Sequence, residues 1–152
     1  SGDDVVRSSE KDEQARAQRL TPLVAAYLAV KREPCSLPEI KDVFQDLGLR
    51  MVNIRDAVWQ LLDNGEVTFT PQWLVQAKPD IKIPQVVRLA LETILVQRAS
   101  ASLVAAGEKL LLCKRYHVAA EIVDLLEEIG DEDAAAKLRQ PLTQGEGSVK
   151  RT

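Results

Sequence analysis

The chain has a single histidine and two cysteines, and that scarcity removes whole classes of chemistry. Cys35 and Cys113 lie far apart, without CxxC spacing, and with His117 they are too few for a four-ligand zinc site. Both are expected to be reduced, ordinary thiols. A P-loop, GxGxxG, GxSxG and HExxH are all missing, and His117 has no recognisable nucleophile or metal partner in sequence. It reads as a helix-start residue beside Tyr116. No enzymatic activity, catalytic residue, cofactor or metal is expected.

Long apolar runs are also lacking. No stretch approaches the ~20 residues that cross a bilayer, and the polar start SGDDVVRSSEKDEQ has no apolar segment of the kind a signal peptide needs. The expectation is a soluble protein without membrane contact, cytoplasmic or nuclear. The chain begins Ser-Gly rather than Met, which points to a segment cut from a larger protein.

An excess of base is absent too. Twenty Lys and Arg stand against 23 Asp and Glu, for a net charge of −3 and a pI near 5.3. Neutralising phosphate with Lys and Arg supplies most nonspecific affinity for nucleic acid, so broad binding is not expected. The stretch 21–78 is no more basic. Its six bases (Lys31, Arg32, Lys41, Arg50, Arg55, Lys78) face seven acids (Glu33, Glu39, Asp42, Asp46, Asp56, Asp63, Glu66), a net of −1.

What is present is a globular composition, 45% hydrophobic and 28% charged. At this length folding removes roughly 70% of the unfolded surface from water. Residues 1–13 read as a disordered leader that turns helical through EQARAQRL, and the domain proper as 14–78. Thr21-Pro22 is a helix start, since Thr accepts from first-turn amides and proline fits the first helical position. The helix PLVAAYLAVKRE then runs to Pro34. Ser36 caps a second helix, with Glu39 completing a capping box, and Leu37, Ile40, Val43, Phe44 and Leu47 recur at helical spacing up to Gly48. Asn53 is expected to cap a third helix, IRDAVWQLLDN, ending at Asn64-Gly65. EVTFT and WLVQA around Pro71-Gln72 make a short hairpin.

From Lys82 the pattern is wholly helical. One helix is expected from Pro84 through IPQVVRLALETILVQRA. Two more lie in SLVAAGEKLLLCKRYHVAAEIVDLLEEIGDEDAAAKLRQ, with a short final one after Asp131. This C-terminal region spans 82–141, and 142–152 reads as a disordered tail. The acids Glu127, Glu128, Asp131, Glu132 and Asp133 lack the ligand spacing of a calcium loop and read as a capped, solvated helix junction.

On SLPEIKDVFQDLG followed by NIRDAVWQLLDNGEVTFTPQWLV, the chain resembles the winged helix-turn-helix superfamily over about residues 21–78. The resemblance implies three helices and a short β-hairpin wing, with the outward face of the third helix as the binding face. LLLCKRYHVAAEIVDLLEEIG, within 103–129, resembles one tetratricopeptide-type helical hairpin, with Tyr116, Ala119, Ala120 and Val123 at its packing positions. The fold class is therefore mainly α: a winged helix followed by a C-terminal helical hairpin or bundle.

On the third helix Ile54, Ala57, Val58, Leu61 and Leu62 gather on one side, facing the core. Asp56, Gln60 and Asp63 lie opposite, with Arg55 and Trp59 on the flanks and Asn53 near the start. In a helix-turn-helix complex this outward face enters the major groove, where Arg, Lys, Asn and Gln read bases. Two carboxylates there are repelled by phosphate. The leading expectation is a non-enzymatic interaction or assembly module binding a protein partner through Arg50, Asn53, Arg55, Asp56, Trp59 and Gln60, with a homodimer through residues 82–141. The alternative is a sequence-specific DNA-binding transcriptional regulator that dimerises through the same C-terminal helices.

Overall fold

The computed structural model describes residues 2–150, so Ser1, Arg151 and Thr152, the ends of the expected leader and tail, lie outside the described residues. The chain is mainly helical. Six α-helices and a two-stranded antiparallel sheet are formed by the described residues, and two compact units, Ser1–Ile94 and Leu95–Thr152, divide it.

In the first unit, α1 spans Gly2–Lys31 and carries Pro22 in its interior, so Thr21-Pro22 does not start it. The hydroxyl of Thr21 donates to Gln60 Oε1 at 3.1 Å instead of capping. The alanine, glutamate, glutamine and arginine residues before it are good helix formers, and the backbone is helical where a leader was expected. The helix stops before Pro34 because the residue ahead of a proline avoids the helical region. Arg32 takes a left-handed conformation there, φ 59°.

The second helix, α2, is Leu37–Val43 with the expected capping box. Ser36 Oγ accepts from the Glu39 N–H at 3.2 Å, and Glu39 Oε2 accepts from the Ser36 N–H at 3.3 Å. A 3₁₀ turn at Gln45–Leu47 follows, and Gly48 reverses the chain at φ 65°, a conformation glycine adopts without steric cost. The third helix, α3, is Met51–Asp63. Its N-cap is Arg50, not Asn53. Asn53 sits one turn in and reaches back, its Oδ1 accepting the Arg50 N–H at 2.8 Å.

Strands β1 (Val67–Phe69) and β2 (Val75–Ala77) pair antiparallel with Val67 opposite Ala77 and Phe69 opposite Val75. Cys35 adds a one-residue bridge to this sheet, exchanging both backbone hydrogen bonds with Val75 at 2.8 Å. Helix α1 packs on α3 and β2, and α2 packs on α3. The buried residues include Leu20, Val24 and Leu28 of α1, Ile40 and Phe44 around α2, and Ile54, Ala57, Val58 and Leu61 of α3. Leu62, expected beside them, is only half-buried.

Helix α4 is Gln85–Leu112, one continuous element where the composition suggests two. The division between the units falls inside it, rather than near residues 79–81. By length and composition α4 is long and apolar enough to cross a membrane, and 11% of its most apolar 18 residues is buried. The expectation that no stretch approaches such a span is corrected on this point. Glu92 and Arg98 break the run in sequence without breaking the helix.

The second unit continues with α5 (Tyr116–Ile129) and α6 (Glu132–Lys150). The last helix is long, and it takes in most of the segment read as a tail. Its core holds Ala119, Val123, Leu126, Ala135, Leu138 and Leu142, with Tyr116 and Ala120 packed against it, so all four residues of the helical-hairpin resemblance contribute. His117 is the second residue of α5 and is exposed.

Gly130 ends α5 at φ 94°, and Asp131 caps α6, its Oδ1 accepting the Ala134 N–H at 3.2 Å. The buried Ser100 hydroxyl donates to the other oxygen of Asp131 and ties the start of α6 to α4. The Ser100 hydroxyl and the Ala134 amide hold the Asp131 carboxyl below its ordinary value. A carboxylate favoured in the folded state adds stability above its unfolded pKa, about 4, and loses it as pH falls through the lower folded value. Urea melts of wild type and Asp131→Asn should therefore differ at neutral pH and converge progressively below about pH 4. A gap independent of pH would show that the charge contributes nothing.

Candidate functional site

Of the six residues expected to bind a partner, five are exposed and one is buried. Asn53 is buried, 9% exposed, and its side chain serves the first turn of α3. Arg50 is exposed beside it at the N-cap. Gln60 turns toward α1, where Thr21 donates to it, and lines a groove of about 280 Å³ with Pro22, Asn64, Glu66 and Lys82.

Arg55, Asp56 and Trp59 remain together. Arg55 and Asp56 form an exposed pair with Nε to Oδ1 at 3.9 Å, and they lie four and three residues before Trp59, on the same side of the helix. An exposed pair at that distance contributes little to stability. Its value is as a polar edge to what lies next to it.

That neighbour is a row of three rings. Trp59 of α3 meets Phe69, at the end of β1, edge to face, with centroids 6.1 Å apart and planes at 66°. Phe69 meets Trp73 in the same manner at 5.8 Å and 64°. Trp59 is 53% exposed and Trp73 76% exposed, while Phe69 is half-buried. Trp59 is thus neither a core residue nor an isolated surface ring. It is the inner member of a row that crosses from helix to hairpin.

The hairpin turn sets the outer ring. Thr70 O accepts the Trp73 N–H at 2.9 Å, and Thr70 accepts from Leu74 through its Oγ1 at 3.1 Å while donating its N–H to Leu74 O at 2.7 Å. Pro71 supplies the fixed φ of the first turn position. Trp73 then takes the left-handed position that closes the loop, at φ 63°. That conformation costs an L residue roughly 1–2 kcal/mol and normally falls to glycine or asparagine. Arg32 and Lys114 take the same region at φ 59° and 60°.

Helical spacing, which places Trp59 on a flank of α3, gives Phe69 and Trp73 no role. The signal for the row is TPQW. The four residues mark a turn, and the left-handed position of Trp73 within it is given by the structure. Among the described residues no group of His, Cys, Asp and Glu is placed to hold a metal. Both cysteines are free, Cys35 buried and Cys113 exposed. No family model, curated protein or solved structure matches the chain.

Proposed function

We propose that residues 21–78 form a winged helix-turn-helix that serves as a protein-interaction or assembly module, docking a partner on Trp59, Phe69 and Trp73 beside Arg55 and Asp56. The observation that carries this reading is the exposed aromatic row. Tryptophan is enriched where partners dock, and a mixed polar rim beside it suits a protein contact. The order helix, bridging residue, helix, helix, hairpin supports the winged-helix assignment. The DNA-binding alternative is disfavoured by the same face. Asp56 and Asp63 are exposed on it, and of the side chains suited to reading bases, Asn53 is buried and Gln60 is engaged by Thr21.

The C-terminal helices are read as a second contact surface, a homodimer through 82–141, supported by the exposure of Val86, Leu89, Leu112 and Leu125. Helix α4 is assigned to protein contact rather than to a membrane because a charge at a bilayer centre costs about 2.5–3.5 kcal/mol, and Glu92 and Arg98 both lie within it.

Trp59→Ala and Trp73→Ala should each leave the melting temperature within a few degrees of wild type, since both rings are mostly in water. Binding to a partner should fall by about 2 kcal/mol, some thirtyfold. Quantitative capture from lysate, with melts of the same variants, measures both. Fluorescence anisotropy with a random duplex should show affinity no tighter than about 10⁻⁴ M at physiological salt. Micromolar binding that weakens steeply with salt would replace this reading with the DNA-binding one.

A further inference from the structure

Within the second unit, α4 and α6 leave an open groove of about 470 Å³ between them. One wall is Val104, Glu108 and Leu111 of α4, at spacings of four and three residues. The facing wall is Ala134, Leu138 and Pro141 of α6, at the same spacings. Both walls are therefore helical ridges of about two turns, roughly 10 Å long at 1.5 Å per residue. A ridge of that length on each side offers a seat of the kind into which the side-chain ridge of a third helix packs.

The floor and the rim differ in character. Val104 and Leu111 are half-buried and Leu138 is buried, all three belonging to the apolar packing of this unit. The charged groups facing the groove are Glu108, Asp131, Asp133 and Lys137, three acids to one base. Asp131 is bonded by the Ser100 hydroxyl and the Ala134 amide and also faces the charge of Lys137, so the acidity of the rim rests on Glu108 and Asp133. An apolar floor with an acidic rim is complementary to a helix that is apolar on one side and carries lysine or arginine beside it.

We propose that this groove binds a basic amphipathic helix of a partner protein, its apolar residues at i, i+4 and i+7 lying over Val104, Leu111 and Leu138 and its cations meeting Glu108 and Asp133. This site is separate from the aromatic row, and the two stand or fall independently.

The test uses the full chain and a fluorescent helical peptide bearing leucines at i, i+4 and i+7 with lysines on the flanks. Anisotropy should show saturable binding with a dissociation constant on the order of 10 µM. A peptide of the same charge with the leucine spacing scrambled should not saturate. Charge reversal of the exposed rim, Glu108→Lys with Asp133→Lys, should weaken the lysine peptide about tenfold and favour a glutamate-flanked version. The milder Glu108→Gln, which removes one charge without adding another, should weaken it by a smaller factor in the same direction. Unchanged affinity in both variants, no saturable binding, or a dimer in sedimentation that the charge reversal dissociates would each overturn the proposal. The last outcome would make a second copy of this chain the occupant.

Discussion

Phe44→Ala should cost the first unit about 3–5 kcal/mol, the largest loss expected from any truncation in it. Phe44 is 1% exposed and lies where α2 gives way to the 3₁₀ turn. Its ring meets Tyr27 of α1 edge to face, with centroids 6.2 Å apart at 80°. Such a pair contributes about 0.5–1.5 kcal/mol beyond the area it buries, so truncation removes both the filled volume and the tie between α2 and α1. Domains of this size have only about 5–15 kcal/mol in total. The melting temperature should fall by roughly 15 °C or more. Thiol labelling gives a second readout. Cys35 is fully buried, and burial pushes its thiol up from the ordinary value, so a reagent should reach Cys113 at once and Cys35 only as the unit opens. Faster labelling of Cys35 in Phe44→Ala is the expected result. A variant that melts and labels like wild type would mean that the ring does not hold the two helices together.

Leu126→Ala is the corresponding change in the second unit, with an expected cost of about 2–5 kcal/mol. Leu126 is 0% exposed at the centre of the cluster that α5 and α6 share, among Val123, Ala135, Leu138 and Leu142. A unit this short buries a smaller fraction of its surface than a large domain and has little stability in reserve. Two further ties, the Arg139–Glu127 ion pair and the Ser100–Asp131 hydrogen bond, cross between its helices. The pair is half-exposed and cannot replace lost packing. Both tryptophans belong to the first unit, so the two units can be followed separately. Far-ultraviolet circular dichroism of Leu126→Ala should lose helix at a temperature where tryptophan fluorescence still reports a folded first unit. Coincident loss of both signals would show that the units unfold as one.

The capping box of Ser36 and Glu39, the stop at Gly48 and the buried stripe Ile54, Ala57, Val58 and Leu61 are legible in the sequence because each depends on residues within one or two turns. Sequence and structure part where a local signal has a distant partner. Thr21-Pro22 has the form of a helix start, but the Thr21 hydroxyl is spent on Gln60, 39 residues away. The serines near residue 100 suggest a new helix, yet the Ser100 hydroxyl goes to Asp131 and α4 runs through. Asn53 does serve the helix start, one turn further in than expected, since a side chain that reaches back from inside the helix has the same local pattern as one that precedes it.

The candidate site divides along the same line. The helical spacing places Arg55, Asp56 and Trp59 outside the buried stripe and sets Asp56 and Asp63 on the outward face of α3, which is enough to argue against phosphate. It cannot bring Phe69 and Trp73 beside Trp59, because that depends on the hairpin turn and on how β1 lies against α3. Nor can it bury Asn53, engage Gln60 with Thr21, or form a groove from residues 104–111 and 131–141. The sequence by itself determined a mainly helical chain, the Ser36–Glu39 cap, the turn at Gly48 and the inward face of the third helix, since these follow from backbone preferences and periodicity within a few residues. Only the tertiary structure decided which exposed rings meet and which polar side chains are spent internally. Those outcomes rest on contacts between residues far apart in the chain, whose energies no local pattern encodes.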